Sequence, residues 1–463
     1  MGALSRQQRI GLWAALAVAF ALRLALVVHA EAGGHFAFGD GRFYLELGRS
    51  LAAGRGLAVS PAIFDLEPGR GAWTEALMAR WRRTGLWDFI RPGYPTAFVM
   101  PLYPCFVGGV FRLFGPHLLA ARVVQLLLSL AVPALTFSIG RRLFGARAGV
   151  LAAWGAALYP FFIFYAASLT NQLFSILALL AVVEGYYRFR DRDRRSWAAA
   201  LAFGVVAGLA FLTRAELAGP ALLGGLLVLG AALKAGGRGR ALGRFAAFAA
   251  VAVLVALPWA ARNAASLGHF SFLSTQGPRV LWEANLQPLS AEFGRGDVAA
   301  YELQYDALRA RELPRLRRAD LAEMPAFDAE GEFERAATLQ ARVAAFVRAN
   351  PRAYLGLCGV RARQFLRFGS LNFGGPVYAL SYGSYAVVFI LGVAGLVVSF
   401  RRPAPYLYVL LAYGAAVLVF VVYGTAFRAS SVDPWLIIFG GLALDRVWAR
   451  LRPRGEAGAE ARA

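Results

Sequence analysis

Six arginines stand where an arginine asks for a cause. Arg23 lies inside an apolar run, and Arg91, Arg122, Arg214, Arg262 and Arg428 lie at the ends of apolar runs, all on the side that the charge pattern makes the outer one. At that depth a guanidinium needs an anionic partner or a path to the interface. Each alone can snorkel to headgroups; six on one side favour a shared anion. A lipid phosphate fits, because guanidinium binds phosphate oxygens in a bidentate fork. The best-placed carboxylate is Asp40, in Phe38-Gly39-Asp40-Gly41-Arg42-Phe43-Tyr44, followed by an amphipathic stretch, Leu45 to Gly54, that ends at a glycine cap. An acid there could take a proton from an acceptor hydroxyl or hold a divalent cation. It could equally serve as the N-cap of the helix that follows. His35, five residues earlier, makes an Asp40–His35 cation site conceivable. His29, His117 and His269 read as surface imidazoles. Tyr44, Tyr103 and Tyr165 could line a sugar or lipid groove, although interfacial anchoring is the commoner use of tyrosine and is favoured for two of the three.

The elements that must position these residues are membrane helices. Of 463 residues 59% are hydrophobic and only 16% charged, with a mean hydropathy of +0.53, which excludes an ordinary soluble enzyme and a disordered scaffold. Apolar runs of about 20 residues recur. They predict spans at 10–30, 118–140, 148–166, 171–188, 197–213, 215–234, 244–262, 384–400, 405–424 and 432–450. The net charge of +22 is nearly all arginine, since Lys234 is the only lysine. This composition hints at a GC-rich bacterial genome. The charge is not a nucleic-acid footprint: the basic clusters occupy short loops between spans. With these spans, Arg6/Arg9, Arg141 to Arg147, Arg188 to Arg195, Lys234 to Arg244, Arg401-Arg402 and Arg450 to Arg454 all fall on one side, the cytoplasmic one, with both termini.

The run 98–114 contains Pro101, Pro104 and Gly108-Gly109, a poor helix interior, and is expected to lie flat on the outer face or re-enter. The run 353–370, interrupted by Arg361, Arg363 and Arg367, is treated alike. The expected architecture is therefore an all-α polytopic bundle of about ten transmembrane helices, or 11–12 should these runs also cross. It divides into a core at 1–262 that includes a first outer loop at 31–117, an extracytoplasmic helical cap and interfacial segment at 263–383 with helices around 298–312 and 330–350, C-terminal spans at 384–452, and a disordered tail at 453–463. The first run is read as a retained helix, since Arg23 is out of place in a signal peptide. Cys105 and Cys358 have no metal or redox spacing and read as small apolar side chains. No Gly-rich nucleotide loop is present.

The first outer segment resembles that of the GT-C membrane glycosyltransferases, and more narrowly the family 39-like group that includes protein O-mannosyltransferases and the lipid A aminoarabinose transferase. Further stretches fall in the family's order: Pro95-Thr96-Ala97, Pro101-Leu102-Tyr103-Pro104, Phe114-Gly115, Ala121-Arg122 with Gln125, Arg141-Arg142-Leu143-Phe144-Gly145, Leu158-Tyr159-Pro160 through Tyr165, Leu212-Thr213-Arg214, Pro258-Trp259 with Arg262-Asn263, Asn285, and Arg428 with Pro434. Each is weak alone, and the ordered set is fairly specific over roughly residues 10–290. The resemblance implies a polyprenyl-phosphate monosaccharide as donor, transfer of a hexosyl or pentosyl group with inversion onto a lipid, glycan or protein acceptor outside the cytoplasmic (inner) membrane, and a role in the cell envelope. Asp40 would be the general base. Arg23, Arg91, Arg122, Arg214, Arg262 and Arg428 would hold the donor phosphate. Tyr44, Tyr103, Tyr165, Asn171 and Glu216 would border the sugar or lipid. No cofactor is implied with certainty beyond a divalent cation at Asp40 and His35. One departure stands out: where family members often carry an acid after Leu-Thr, this chain has Leu169-Thr170-Asn171-Gln172. An amide cannot act as base, so the missing carboxylate would have to come from Asp65, Glu67, Glu75, Asp88 or Glu216, or the chain is a diverged relative. Competing readings are a transporter or flippase of a lipid-linked anion, an oligosaccharide ligase or polymerase using a lipid-diphosphate donor, and a binding or assembly protein without catalysis. The ionisable residues sit mostly at the outer edge rather than at the midplane, which favours surface chemistry over passage.

Overall fold

The computed structural model describes residues 4–33, 40–59, 93–191, 197–235, 237–285, 331–366, 375–401, 403–421 and 425–451. The regular elements of these residues are all helices; their one β pairing is an isolated bridge between Ala58 and Pro95. Every expected span has a helical counterpart. They are α1 (Arg6–Gly33), α4 (Leu118–Ser129) continued by α5 (Ala131–Phe144), α6 (Ala146–Leu158) with α7 (Pro160–Ala167), α8 (Gln172–Asp191), α9 (Trp197–Thr213), α10 (Ala218–Lys234), α11 (Arg238–Leu267), α15 (Gly375–Ser399), α16 (Pro405–Phe420) and α18 (Asp433–Leu451). Six of these paths are long and apolar enough to cross a bilayer, or seven with the bent α6–α7 pair.

Two breaks shape the bundle. Between α6 and α7 the chain turns by 55°. Tyr159 is extended (φ −68°, ψ 116°), as a residue before proline prefers, and Pro160 opens the next helix, where its missing N–H costs nothing. Between α9 and α10, Arg214 is extended and a single 3-10 turn, Ala215–Leu217, restarts the helix. A short helix, α17 (Thr425–Ser431), precedes α18. The largest apolar core fills the space between α5–α11 and α15–α18.

At one end of the bundle lie α2 (Asp40–Ala52), α3 (Leu102–Phe114), α12 (Gln276–Asn285), α13 (Glu332–Ala349) and α14 (Pro351–Phe365). α2 ends, as its sequence predicts, ahead of a left-handed glycine, Gly54 at φ +75°. The run 98–114 corrects one expectation. Its residues 102–114 form a regular helix despite two prolines and two glycines. Pro101 and Pro104 sit at the start, where no intrahelical donor is lost. Gly108 is the point where α2 crosses: a Cβ there would lie 2.8 Å from Leu51 Cβ, and one on Gly48 would overlap Val107. At 13 residues the helix is about 20 Å long, too short for a bilayer core of about 30 Å. Of the expected cap helices, 330–350 is present as α13, whereas 298–312 lies outside the described residues. Of the 353–370 run, residues 353–365 lie in α14, with Arg361 buried, and 367–370 lie outside the described residues. α2 and α3 share one apolar cluster with Trp259, Trp282, Leu339, Phe346 and Leu357, so the cap helices rest directly on them. Both cysteines are free thiols, Cys105 exposed and Cys358 buried.

Candidate active site

Asp40 is the first helical residue of α2 rather than a residue preceding it. Its side chain, like all of His35, Arg91, Asp65, Glu67, Glu75 and Asp88, lies outside the described residues. The backbone of α2 is nevertheless fixed. Phe43, Tyr44, Leu45 and Leu47 are buried, and Gly48 is locked against α3. The next residue, Gly41, abuts the turn between α7 and α8: a Cβ on it would come within 3.1 Å of the Leu169 carbonyl oxygen. The start of α2 therefore meets the Leu169-Thr170 turn, which in sequence precedes Asn171, the position where the resembling family often carries an acid. Asn171 itself starts α8, its carbonyl accepting from the Ser175 N–H (2.9 Å) and hydroxyl (3.0 Å).

The same turn is braced from α3 and α4. Tyr103 donates its hydroxyl to Gln125 Oε1 (2.8 Å), and Gln125 Nε2 donates to the carbonyls of Tyr165 (3.1 Å) and Ser168 (2.6 Å). Tyr44 packs edge-on to Tyr103 at 5.0 Å. Tyr103 and Tyr44 are 0% and 1% exposed and Tyr165 only 6%. None of the three borders an open groove or anchors at an interface. Their rings fill the interior and hold the turn, which corrects both expected roles. Buried hydroxyls need a partner, and the Gln125 amide, which has both acceptor and donors, supplies it.

The arginines divide sharply by what their guanidinium already does. Arg23, fully buried, donates to the carbonyls of Ala19 (3.1 Å), Ala157 (3.2 Å) and Ala156 (3.3 Å). Ala156 sits four residues before Pro160, which has no N–H to give it. Arg23 thus caps the frayed end of α6. Arg122 is buried and paired with Glu31 at the end of α1. Arg262 donates to the carbonyls of Thr96 (2.9 Å) and Leu57 (2.9 Å) and to Asn263 Oδ1 (3.1 Å), fastening two segments within the first outer loop to α11. Arg428 is 1% exposed, faces the Tyr385 ring at 3.4 Å and pairs with Asp433 at 3.6 Å. Asp433 Oδ2 in turn accepts from Tyr159 Oη at 2.5 Å. For Arg23 and Arg262 the structure replaces the expected phosphate contact with main-chain capping.

Arg214 is different. It pairs through Nε with Glu216 Oε1 at 2.6 Å, its guanidinium lies 5.1 Å from the Phe427 ring, and among the described residues no hydrogen bond engages its two terminal nitrogens. It is part-exposed, with 22% of its side chain accessible. Arg214 and Glu216 are the charged members of a groove between α8, α10, α16, α17 and α18, otherwise bordered largely by apolar groups such as Leu179, Pro220, Leu410 and Trp435. The cavity is small, about 20 Å³, and partly open. Tyr413 closes one wall, donating its hydroxyl to the Glu216 carbonyl (2.7 Å).

Asp433 and Glu332 receive no role from the sequence, and Arg361 enters it only as an interruption of the 353–370 run. Asp433 was visible as the first acid after Arg401-Arg402, five residues beyond Arg428. Arg361 donates to the Val419 (2.6 Å) and Ala284 (3.1 Å) carbonyls and to Asn285 Oδ1 (3.2 Å). Glu332, at the start of α13, accepts from the Ala97 N–H (3.0 Å) and the Thr275 hydroxyl (2.6 Å). Burial pushes the Glu332 carboxyl above its ordinary range, against the pull of these hydrogen bonds and of nearby Arg262. Among the described residues no three His, Cys, Asp or Glu side chains converge as metal ligands.

Comparison with known proteins adds family and fold. Residues 95–262 match the model of the Dolichyl-phosphate-mannose-protein mannosyltransferase family. No curated protein matches the chain. Among solved structures, the archaeal oligosaccharyltransferase AglB from Archaeoglobus fulgidus, in complex with an inhibitory peptide and a dolichol-phosphate, superposes with a TM-score of 0.53 at 15% identity, covering 96% of this chain and 51% of that one. The apo form of the Archaeoglobus fulgidus oligosaccharyltransferase gives 0.52 at 15% identity over 95% and 51%. ArnT from Cupriavidus metallidurans bound to undecaprenyl phosphate gives 0.42 at 18% identity over 96% and 79%. This chain spans about half the length of the oligosaccharyltransferases it matches.

Proposed function

We propose that this chain, a polytopic membrane protein with the GT-C fold and, over residues 95–262, the sequence pattern of the mannosyltransferase family, is a glycosyltransferase that moves a sugar from a polyprenyl-phosphate donor to an acceptor outside the cytoplasmic membrane, with inversion. The observation that carries the reading is the Arg214 groove. Of the candidate phosphate ligands whose side chains are described, Arg23, Arg262 and Arg428 are committed within the protein, and Arg122 is paired with Glu31. Arg214, whose terminal nitrogens make no hydrogen bond among the described residues, lines a small pocket bordered largely by apolar groups. The lipid phosphate would meet the Arg214 fork.

In this mechanism the acceptor hydroxyl attacks the anomeric carbon from the face opposite the phosphate. Asp40 takes the hydroxyl proton, the bond from the anomeric carbon to the phosphate oxygen breaks, and polyprenyl phosphate leaves with its added charge stabilised by Arg214. The basic loops at the other end of the bundle support a cytoplasmic location for that end and for both termini, and with it an outer position for Asp40 and the cap. The test is a panel of polyprenyl-phosphate monosaccharides, with membrane extract as acceptor source, measuring released polyprenyl phosphate. Wild type should release it. Asp40→Asn should be slower by at least about 100-fold while still binding the lipid. No release with any donor sinks the reading in favour of a diphosphate donor or transport.

A further inference from the structure

The donor and the product of the proposed reaction differ in charge. A polyprenyl-phosphate sugar is a phosphodiester with one negative charge, whereas the spent polyprenyl phosphate is a monoester that carries close to two at neutral pH. Arg214 already has a resident anion. Glu216 Oε1 holds the Nε edge of the guanidinium at 2.6 Å, so a phosphate on the free terminal nitrogens would face the carboxylate across a single guanidinium. The backbone carbonyl of Glu216 accepts from the Tyr413 hydroxyl, which a Cβ added to Gly219 would meet at 2.7 Å, so the main chain that carries Glu216 is held in place. Among the described residues lining the groove, no other charged side chain offsets a second negative charge.

We propose that Glu216 sets the charge preference of the Arg214 site, tolerating the monoanionic donor and repelling the dianionic product, so that the spent lipid leaves. The inference rests on the donor reading above. One positive charge between a fixed carboxylate and a phosphodiester leaves a net charge of one minus; with the monoester it leaves two. Over the roughly 6 Å that separates anions on opposite edges of one guanidinium, that repulsion is large enough in a partly dehydrated groove to matter by about tenfold in affinity. A carboxylate whose role was only to orient Arg214 would act in the opposite sense, since its loss would weaken every phosphate ligand.

The experiment uses the full chain in zwitterionic nanodiscs at fixed salt, with three probes: undecaprenyl phosphate, its monomethyl ester and undecaprenol. Glu216→Gln should tighten undecaprenyl phosphate about tenfold, the methyl ester about threefold, and leave undecaprenol unchanged. Glu216→Asp, which keeps the charge, should leave the monoester-to-diester ratio within about twofold of wild type. Glu216→Ala serves as the neutral variant should the amide variant not fold, as judged by its thermal midpoint. Equal or weaker monoester binding in the folded neutral variant overturns the inference while leaving the donor site standing. A wild-type protein that does not distinguish undecaprenyl phosphate from undecaprenol overturns the donor site, and this inference with it.

Discussion

Replacing Arg23 by methionine tests whether a buried arginine in the first span serves the helix break rather than a ligand. The guanidinium is fully buried and makes two hydrogen bonds to another helix, at 3.2 Å to Ala157 O and 3.3 Å to Ala156 O. Hydrogen bonds from a charged donor contribute about 1.5–3 kcal/mol each. Methionine fills the volume and removes the cost of burying the charge, which offsets part of the loss. What remains is chiefly the Ala156 carbonyl, left without a donor in a layer that offers no water. The net expectation is a loss of about 2 kcal/mol, at the upper end of the values measured for hydrogen bonds between membrane helices. Thermal unfolding in detergent, followed by tryptophan fluorescence, should show a midpoint lowered by a few degrees. Arg23→Lys should recover part of it, because an ammonium can reach one carbonyl but not fork across two. A variant as stable as wild type, with lipid-phosphate binding lost instead, would refute the capping role and return Arg23 to the donor site.

The crossing of α2 over α3 makes a sharper steric prediction. Gly108→Ala should cost about 1–3 kcal/mol because the new methyl would lie 2.8 Å from Leu51 Cβ, whereas Gly109→Ala, with nothing within 4 Å, should be neutral or slightly stabilising; equal midpoints for the two would show that the helices do not meet there. The buried Glu332 carboxyl, raised above 4.5, binds its proton more tightly in the folded state than in the unfolded one. Its contribution is therefore fully present below the unfolded value and is lost as pH rises through the raised one. Hydrogen exchange at the start of α13 should quicken over that rise in wild type and stay flat in Glu332→Gln. An unchanged pH dependence in the variant would assign it to another group.

Hydropathy and charge spacing locate the spans because both are local: a run of apolar residues must be buried somewhere, and a helix satisfies its own backbone. The breaks were legible only in part. Pro160 announces the end of α6, but nothing near it in sequence announces that Arg23 closes the gap, since that contact spans 134 positions along the chain. The same limit explains the arginines. Sequence identifies Arg23, Arg262 and Arg428 as charges out of place, yet whether such a charge meets a lipid or a carbonyl is decided by distant backbone. Tyr44 and Tyr103 show the converse. Their amphipathic type suits an interface or a sugar, and only the crossing at Gly48 and Gly108 reveals that both rings are enclosed. The helix at 102–114 was undervalued because Pro and Gly were weighed by propensity alone. Their positions, at the first turn and at a crossing, make both residues useful.

The break at Tyr159 also bears on the order in which the protein can mature. Within four residues it receives Arg23 from the first helix and offers its phenol to Asp433 in the last, across 274 positions of chain. During synthesis the first of these partners is already in the membrane when the break emerges, so the carbonyls of Ala156 and Ala157 can be satisfied at once. The phenol must wait for the final helix. Arg428 and Asp433 then arrive together, only five residues apart, and can enter the bilayer as a neutral pair. Insertion is thereby spared two separate charges, and α18 fastens a corner built by helices made before it.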